Sequence, residues 1–177
     1  GFPECSPSRI IARFLLDEGA VMVPAELKQL AQELAQASSD VIRGYYRSGL
    51  AIDDKTDASP VTQADREAEQ VMRQLIAERR PLDGIIGEEF GRENEDAEWT
   101  WVLDPVDGTK AFITGRPLFV TLIGLLHFGK PVLGVINQPI TGDCWFGVVD
   151  EGTTLNGKPA HVSQIIDLGR ARIGSTG

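Results

Sequence analysis

The hydrophobic periodicity of this chain changes once, near Pro81, and that change limits the folds available to it. Before Pro81, two segments carry apolar side chains at spacings of three and four, the pattern of amphipathic helices. After it, apolar residues come in short runs rich in β-branched and aromatic side chains, separated by Gly, Pro or Asp. Two helices followed by a run of strands predict an α+β or layered α/β architecture.

The first predicted helix begins at Ala25 and is expected to stop at one of two glycines, Gly44 or Gly49. The second is predicted to start near Thr62, because Thr62 and Asp65 have the spacing of a capping box, and Pro81 closes it. The buried stripe of the first helix comprises Leu27, Leu30, Ala31, Leu34, Val41, Ile42 and Tyr45. The stripe of the second comprises Ala64, Ala68, Val71, Met72, Leu75 and Ile76.

The strand-like runs are "IIG", "TWVL", "FVTLIGLLHF", "VLGVI" and "CWFGVV". Further on, Asn156-Gly157 separates two extended runs, which is a strong signal for a two-residue hairpin turn. The last run, "RARIGSTG", is also strand-like. A strand start with no turn or helix after it predicts a chain cut inside a larger fold.

Composition limits the partners. The length of 177 residues is that of about one domain. The formal net charge of -9 and the lack of a basic tract argue against nucleic acid as a binding partner. No apolar run has membrane-spanning length. Cys5 and Cys144 lie far apart, which argues against a disulfide framework and for a reducing compartment. We therefore expect a cytoplasmic protein, or a plastid one if the source is a plant.

Nine acids and one base, Arg92, lie between residues 83 and 107. Four of the acids are interpreted as a solvated polar loop: Glu93, Glu95, Asp96 and Glu98. Glu88, Asp104 and Asp107 differ, because each follows an apolar strand, and strand ends project side chains into the crevice where open sheets bind ligands. Like charges this close repel. A divalent cation removes the repulsion, and ligands that are all oxygen suit Mg²⁺.

The string "DPVDGT" has the residues that a metal and phosphate site needs. Pro105 is expected to end the strand and turn the chain, so that Asp107 faces the same ion as Asp104 and the carbonyl of Val106 supplies another oxygen. Gly108, lacking a Cβ, lets backbone N–H groups approach a phosphate. If "TKAF" starts a short helix, its N-terminus adds donors, and the following threonine hydroxyl can orient a water. A simple surface turn is the alternative interpretation.

Three motifs in order, "SPVTQADREAE", "GIIGEEFG" and "WVLDPVDGTKAF", resemble those of the inositol monophosphatase superfamily of Mg²⁺-dependent, lithium-sensitive phosphatases. The resemblance spans residues 25–177. Within the superfamily, "DKTDASPVTQADREAE", "GIIGEEFG" and "DGTKAFITGRPLF" are most similar to the histidinol-phosphate phosphatase branch. Inositol phosphatases more often carry Asn-Phe after the Gly-Thr and lack the "ITGRP" continuation.

The resemblance implies a metal-ligand set for Mg²⁺. By similarity, Glu88 binds one metal and borders another, Asp104 bridges two metals, and Asp107 holds the second. The carbonyl of Val106 completes one of the sites.

The resemblance also implies the catalytic groups. Gly108 and Thr109 would contact the substrate phosphate, and Asp65 would pair with Thr109 to orient the attacking water beside Glu88. The alternative for Asp65 is the return half of a helix cap, and the two roles are compatible. Lys55, in the preceding loop, would help to bind phosphate or is simply solvated.

The implied fold is the layered α-β-α sugar-phosphatase fold, with two long helices packed on a mainly antiparallel sheet. Relatives carry a further Trp-Asp motif in a C-terminal part, whose Asp is a ligand of the second metal, and no such string occurs here. We therefore expect residues 1–24 to form an N-terminal extension and residues 25–177 the N-terminal metal-binding domain, with the C-terminal domain missing. The second metal would then bind weakly.

The predicted function is Mg²⁺-dependent hydrolysis of the phosphomonoester L-histidinol phosphate, a step of histidine biosynthesis. Within the same class, the alternatives are inositol monophosphate and 3',5'-bisphosphate nucleotides. An alternative from another class is a truncated, non-catalytic form that binds metal or pairs with a full-length subunit. Relatives are commonly dimers, so a homodimer is compatible with the resemblance.

Overall fold

Two long helices lie on one face of an eight-stranded sheet in the computed structural model, which describes residues 21–48 and 60–172. The helices are α1, Ala25–Tyr45, and α2, Pro60–Arg79; a short α3, Thr109–Ile113, follows the third strand. The strands are β1 Gly84–Gly87, β2 Gly91–Glu93, β3 Trp99–Asp107, β4 Val120–His127, β5 Lys130–Gln138, β6 Asp143–Val148, β7 Gly152–Leu155 and β8 Lys158–Ala160. A 3₁₀ turn, Leu168–Arg170, comes last. The predicted class, helices packed on a mainly antiparallel sheet, is confirmed.

The strand order is β2-β1-β3-β4-β5-β6-β7-β8. β1 and β3 run parallel to each other, and every other neighbouring pair of the described strands is antiparallel. A parallel pair brings the carboxyl ends of two strands to the same edge of the sheet. That edge holds Glu88, the first residue after β1, and the end of the "WVLDPVD" segment of β3.

The core lies between the two helices and the sheet. Leu27 and Leu34 of α1, Met72 of α2, and Trp101 and Leu125 of the sheet are all fully buried. Burial of such side chains stabilises the fold by about 1.5–3 kcal/mol each. A second buried cluster comprises Ile42, Ala64, Ala68, Val106, Phe112 and Phe119. This cluster packs under the segment that links β3 to α3.

Pro105 does not end its strand, contrary to the sequence prediction. β3 continues to Asp107 across a bulge, because pairing shifts between Asp104↔Leu122 and Asp107↔Val120. A bulge tolerates a residue without an N–H group. The carbonyl of Pro105 accepts a hydrogen bond from Thr121 Oγ1 at 2.8 Å, so the irregular segment is still anchored to β4.

The second helix begins at Pro60, two residues before the predicted start at Thr62. Proline suits the first helical position because its φ is already helical and no N–H is needed there. Asp65 therefore lies in the second turn of α2 and not at the return position of a capping box. The helix ends at Arg79, because Pro81 disfavours helical backbone at the residue before it, Arg80.

Two further expectations need correction. Glu93 was predicted to lie in a polar loop but is the last residue of β2, which pairs antiparallel with β1. The described part of "RARIGSTG" is not a strand: Arg170 ends a 3₁₀ turn, and residues 171–172 have no regular structure. The predicted hairpin at Asn156-Gly157 is confirmed, with both residues at positive φ between β7 and β8.

Parts of the prediction fall outside the described residues, namely residues 1–20 of the expected extension, Lys55 and Cys5. Val23 is buried in the core, so packing extends at least two residues before the predicted boundary at Ala25. Across the described ranges, no helix combines the length and the apolar character that a bilayer crossing requires.

Candidate functional site

The register of the parallel strand pair brings Glu88 beside Asp104. Gly87 of β1 pairs with Leu103 of β3, and the N–H of Glu88 donates to the carbonyl of Leu103 at 3.2 Å. The next residue on β3 is Asp104, whose pKa is raised by burial and then by the neighbouring Glu88 carboxyl. Two residues that sequence analysis assigned separately to strand ends therefore face each other.

Asp104 is half-buried, and its Oδ1 atom has no hydrogen-bond partner. Burial raises the pKa of this carboxyl well above its ordinary value, and Glu88 and then Asp107 raise it further by hydrogen bonding and charge repulsion. The backbone N–H of Val106 offsets part of this. An ionised carboxylate here needs a positive partner.

Asp65, on α2, contributes to the same group of charges. It is only 7% exposed, and its Oδ1 also has no hydrogen-bond partner. Burial raises its pKa to about 7, with further contributions from the charges of Glu89, Glu88 and Asp104. The helix face that packs on the sheet thus brings a carboxyl group of perturbed pKa to the ends of β1 and β3, a frequent property of functional sites.

The segment after β3 forms a tight turn into α3. Gly108 caps α3 at a φ of +99°, and a Cβ there would lie 2.9 Å from the carbonyl oxygen of Leu118. Ala111 and Phe112 donate their N–H groups to the carbonyl of Gly108, so donors for an anion must come from earlier residues. The expectation that "TKAF" begins a short helix is confirmed.

Asp107 and Thr109 are exposed beside this turn. Thr109 Oγ1 donates to the carbonyl of Val106 over a long 3.4 Å. The pairing of Thr109 with Asp65 that the resemblance implied is therefore not formed in the structure. The hydroxyl lies close to the carbonyl oxygen that was proposed as a metal ligand.

The carboxyl and carbonyl oxygens of this region are ligands that a divalent cation prefers. Within residues 21–48 and 60–172, no three His, Cys, Asp or Glu side chains are gathered tightly enough to hold a metal by themselves. The carboxylates instead interact in pairs, Glu88 with Asp104 and Asp104 with Asp107. A cation that draws the carboxylates together fits the hard oxygen donors and the Oδ1 atoms of Asp65 and Asp104, which are buried and have no hydrogen-bond partner. The carbonyl of Val106 would be a further ligand.

Sequence analysis missed two acids that belong to this region, Glu89 and Glu69. Glu89 is partly buried; burial raises its pKa, and its ion pair with Arg66 at 3.7 Å opposes that rise. Glu69 is fully buried on α2. The signal for Glu69 was present in "ADREAE", because a residue four after Asp65 lies on the same helix face.

The sequence model of the inositol monophosphatase family matches residues 24–175. Among curated proteins, the chain is similar to the bifunctional phosphatase IMPL2, chloroplastic, of Arabidopsis thaliana, with 48% identity over 145 residues, 81% of this chain and 42% of that protein. It is also 41% identical over 140 residues to a histidinol-phosphatase of Chlorobaculum parvum, covering 78% of this chain and 54% of that protein.

Among solved structures, an inositol monophosphatase from Zymomonas mobilis superposes with a TM-score of 0.71 and 50% identity, over 80% of this chain and 55% of that one. The chain thus spans about half the length of the relatives it matches. Because the family match covers more than half of the 177 residues and agrees with the fold, this chain belongs to the inositol monophosphatase family.

Proposed function

We propose that this chain forms the catalytic half-site of a Mg²⁺-dependent phosphomonoesterase whose substrate is L-histidinol phosphate. The observation that carries the activity is the parallel register of β1 and β3. It sets Glu88 against Asp104, next to a buried Asp65 whose Oδ1 has no hydrogen-bond partner.

The oxygen atoms that would hold Mg²⁺ are the carboxylates of Glu88, Asp104 and Asp107 and the carbonyl of Val106. When bound, the metal lowers the pKa of a coordinated water and neutralises charge on the phosphate. The raised pKa of Asp104, caused first by burial and then by the neighbouring Glu88 and Asp107, supports this assignment, because a positive charge beside an ionised carboxylate there would be favourable. These residues would bind a cation in their ionised forms, so the affinity is expected to increase with pH.

The other residues act on water and phosphate. Asp65, a buried carboxyl whose Oδ1 has no hydrogen-bond partner, would accept a hydrogen bond from the attacking water. Thr109 would orient that water through its hydroxyl, and the backbone N–H groups at Gly108 and Thr109 would contact phosphate oxygens. The positive φ of Gly108 supports this role, because it turns the backbone sharply where the anion would bind.

Histidinol phosphate is favoured over other phosphomonoesters by the "ITGRPLF" continuation and by the 41%-identical relative named histidinol-phosphatase. The second candidate is an inositol monophosphate, which is favoured by the 50%-identical solved structure of an inositol monophosphatase. Both substrates present a phosphate monoester to the same carboxylates, so the choice between them depends on groups that contact the alcohol portion.

The test is phosphate release with Mg²⁺ from histidinol phosphate, inositol 1-phosphate and a 3',5'-bisphosphate nucleotide. Asp104→Asn is the control, since it keeps the shape of the side chain and removes its charge. Release from histidinol phosphate alone, lost in the variant, supports the proposal. Equal activity in Asp104→Asn would contradict the assigned site, and preference for inositol 1-phosphate would contradict the substrate.

A further inference from the structure

Glu69 is a fully buried carboxylate that has no part in the chemistry proposed above. It lies on α2, one turn after Asp65, and its side chain is 0% exposed. A buried charge is costly unless hydrogen bonds and an opposite charge compensate it. The carboxylate of Glu69 therefore requires hydrogen-bond donors and a positive charge within the core.

The partners of Glu69 are the backbone of the turn after β1. Its Oε2 accepts the N–H of Glu89 at 2.8 Å, and its Oε1 accepts the N–H of Phe90 at 3.2 Å. Arg73, one turn further along α2, donates its Nε–H to Oε1 at 2.8 Å. Charge-assisted hydrogen bonds of this kind are about twice as strong as neutral ones.

The end of β1 is shaped to admit this carboxylate. A Cβ on Gly87 would overlap both Oε1 and Cδ of Glu69, so no residue with a side chain fits there without moving the carboxylate. Arg73 closes the arrangement from the other side, because its guanidinium also donates to Glu93 on β2 at 2.8 Å. The two strands that flank the turn are thus tied to one point on α2.

We propose that Glu69 is a positioning residue that fixes the turn after β1 so that Glu88 faces Asp104. The N–H of Glu88 is held by Leu103, and the next two N–H groups are held by Glu69, so three consecutive peptide units are fixed. Glu88 can then be presented in one backbone conformation. This inference rests on the proposed function, since it assigns Glu69 to the alignment of a metal ligand.

The test compares the whole chain with its Glu69→Gln variant, using Mg²⁺ alone as the probe in titration calorimetry. Glutamine keeps the size of the side chain but has one acceptor oxygen instead of two, so one N–H of the turn loses its partner. We expect Mg²⁺ to bind about 10-fold more weakly, the usual effect of removing a partner that orients a metal ligand. Hydrogen exchange at the amides of Glu89 and Phe90 should become faster in the same variant.

Asp83→Asn is the matched control. Asp83 is also a buried carboxylate that pairs with an arginine near the end of α2, Arg80, at 3.1 Å. It accepts the indole N–H of Trp101 at 3.0 Å, at the opposite end of β1 from the turn. Its loss should lower the melting temperature and leave Mg²⁺ affinity unchanged. If Glu69→Gln fails to fold, the double variant Glu69→Gln/Arg73→Met removes both buried charges and is expected to show the same weakened binding.

Four results would overturn the inference. Equal Mg²⁺ affinity in the wild type and in the Glu69 variant, or unchanged exchange at both amides, would overturn the positioning role and leave the proposed function standing. An equal loss of affinity in Asp83→Asn would show that the effect is only a loss of stability. A wild-type chain that binds no Mg²⁺ would overturn the proposed function itself, and the role of Glu69 with it.

Discussion

Asp65 and Asp104 combine two properties that a structural carboxylate rarely has together, a desolvated position and an oxygen atom without a hydrogen-bond partner. Glu69 and Asp83 are at least as buried, yet each has an arginine and N–H donors around it. The difference separates carboxylates that stabilise the fold from carboxylates that cost stability until a cation binds. At the scale of single residues, the candidate site is therefore recognised by desolvated carboxylates that have an oxygen atom without a hydrogen-bond donor.

The raised pKa values of Asp65 and Asp104 predict that these two groups lower the stability of the fold as pH rises. The pKa of Asp65 rises from 3.8 to about 7 on folding, so between these values the folded state binds more protons than the unfolded state. The contribution of such a group to stability falls as pH rises through this range and is most unfavourable above pH 7. Asp104 has a shift of the same direction.

We therefore expect Asp104→Asn to melt at a higher temperature than the wild type in EDTA at pH 8, because the variant removes a charge that is unfavourable through burial and then through repulsion. The increase should be about 2–4 °C for each kcal/mol gained. The difference should shrink toward pH 5, where the wild-type carboxyl is already protonated. Differential scanning fluorimetry at four pH values measures it. Asp96→Asn, in an exposed turn, is the control without a pH-dependent difference. A pH-independent gap for Asp104→Asn would contradict the argument.

The proposed phosphate site depends on the backbone conformation of Gly108. Alanine there would be forced to a φ of +99°, with its Cβ 2.9 Å from Leu118 O and 3.0 Å from Phe119 Cα. Strain of this kind costs about 1–3 kcal/mol, and we expect Gly108→Ala to lose at least about 10-fold in phosphate release as the turn shifts. Gly129→Ala is the matched control, because it has a φ of +77° but open space around the Cβ. It should lose stability and keep its activity; equal activity loss in both would reject the role of the turn.

At the scale of secondary-structure elements, the sequence predicted both long helices and most strands, because their apolar stripes and β-rich runs are local patterns. It did not predict β2, because "GRE" is short and polar. This segment becomes a strand only through its pairing with β1. Nor did it predict the bulge at Pro105, which depends on the register of β4. Glu88, Asp104 and Asp107 were expected together at strand ends, and the structure brings them close in pairs, Glu88 with Asp104 and Asp104 with Asp107. Spacing places Glu69 on the same helix face as Asp65, but its hydrogen bonds to the turn after β1 are non-local contacts that the sequence does not reveal.

The bulge in β3 depends on one hydrogen bond from a neighbouring strand. Thr121 is fully buried, and its Oγ1 donates to the carbonyl of Pro105 at 2.8 Å. Thr121→Val keeps the volume and removes the donor, which leaves a buried carbonyl unsatisfied and should cost about 1–3 kcal/mol. Urea unfolding measures the loss, and Thr121→Ser should recover most of it. A Val variant as stable as the wild type would mean that the bulge is held by β4 pairing alone.

At the scale of the whole molecule, the two faces of the sheet differ. The helices cover one face, while the other carries a row in which Val102, Gly124, Gly134 and Gly147 are paired across four neighbouring strands. Because three members of the row lack side chains, they form the floor of a groove of about 570 Å³. Leu122, Ile136 and Trp145 form the adjacent wall, and Asp104 also lines the groove. An apolar groove thus leads to the candidate metal site.

An apolar surface of this kind predicts measurable behaviour of the 177-residue chain. We expect it to bind a hydrophobic dye such as anilinonaphthalene sulfonate in its folded state and to self-associate as concentration rises. Ile136 is 46% exposed in the wall of the groove, so Ile136→Lys should reduce both effects at little cost in stability. Leu82→Lys is the control, because Leu82 is 86% exposed and does not line the groove. Dye fluorescence measures the binding, and analytical ultracentrifugation measures the self-association. The same response in both variants would mean that neither property depends on this face. A folded wild-type chain that binds no dye and stays monomeric would mean that the groove is closed in solution.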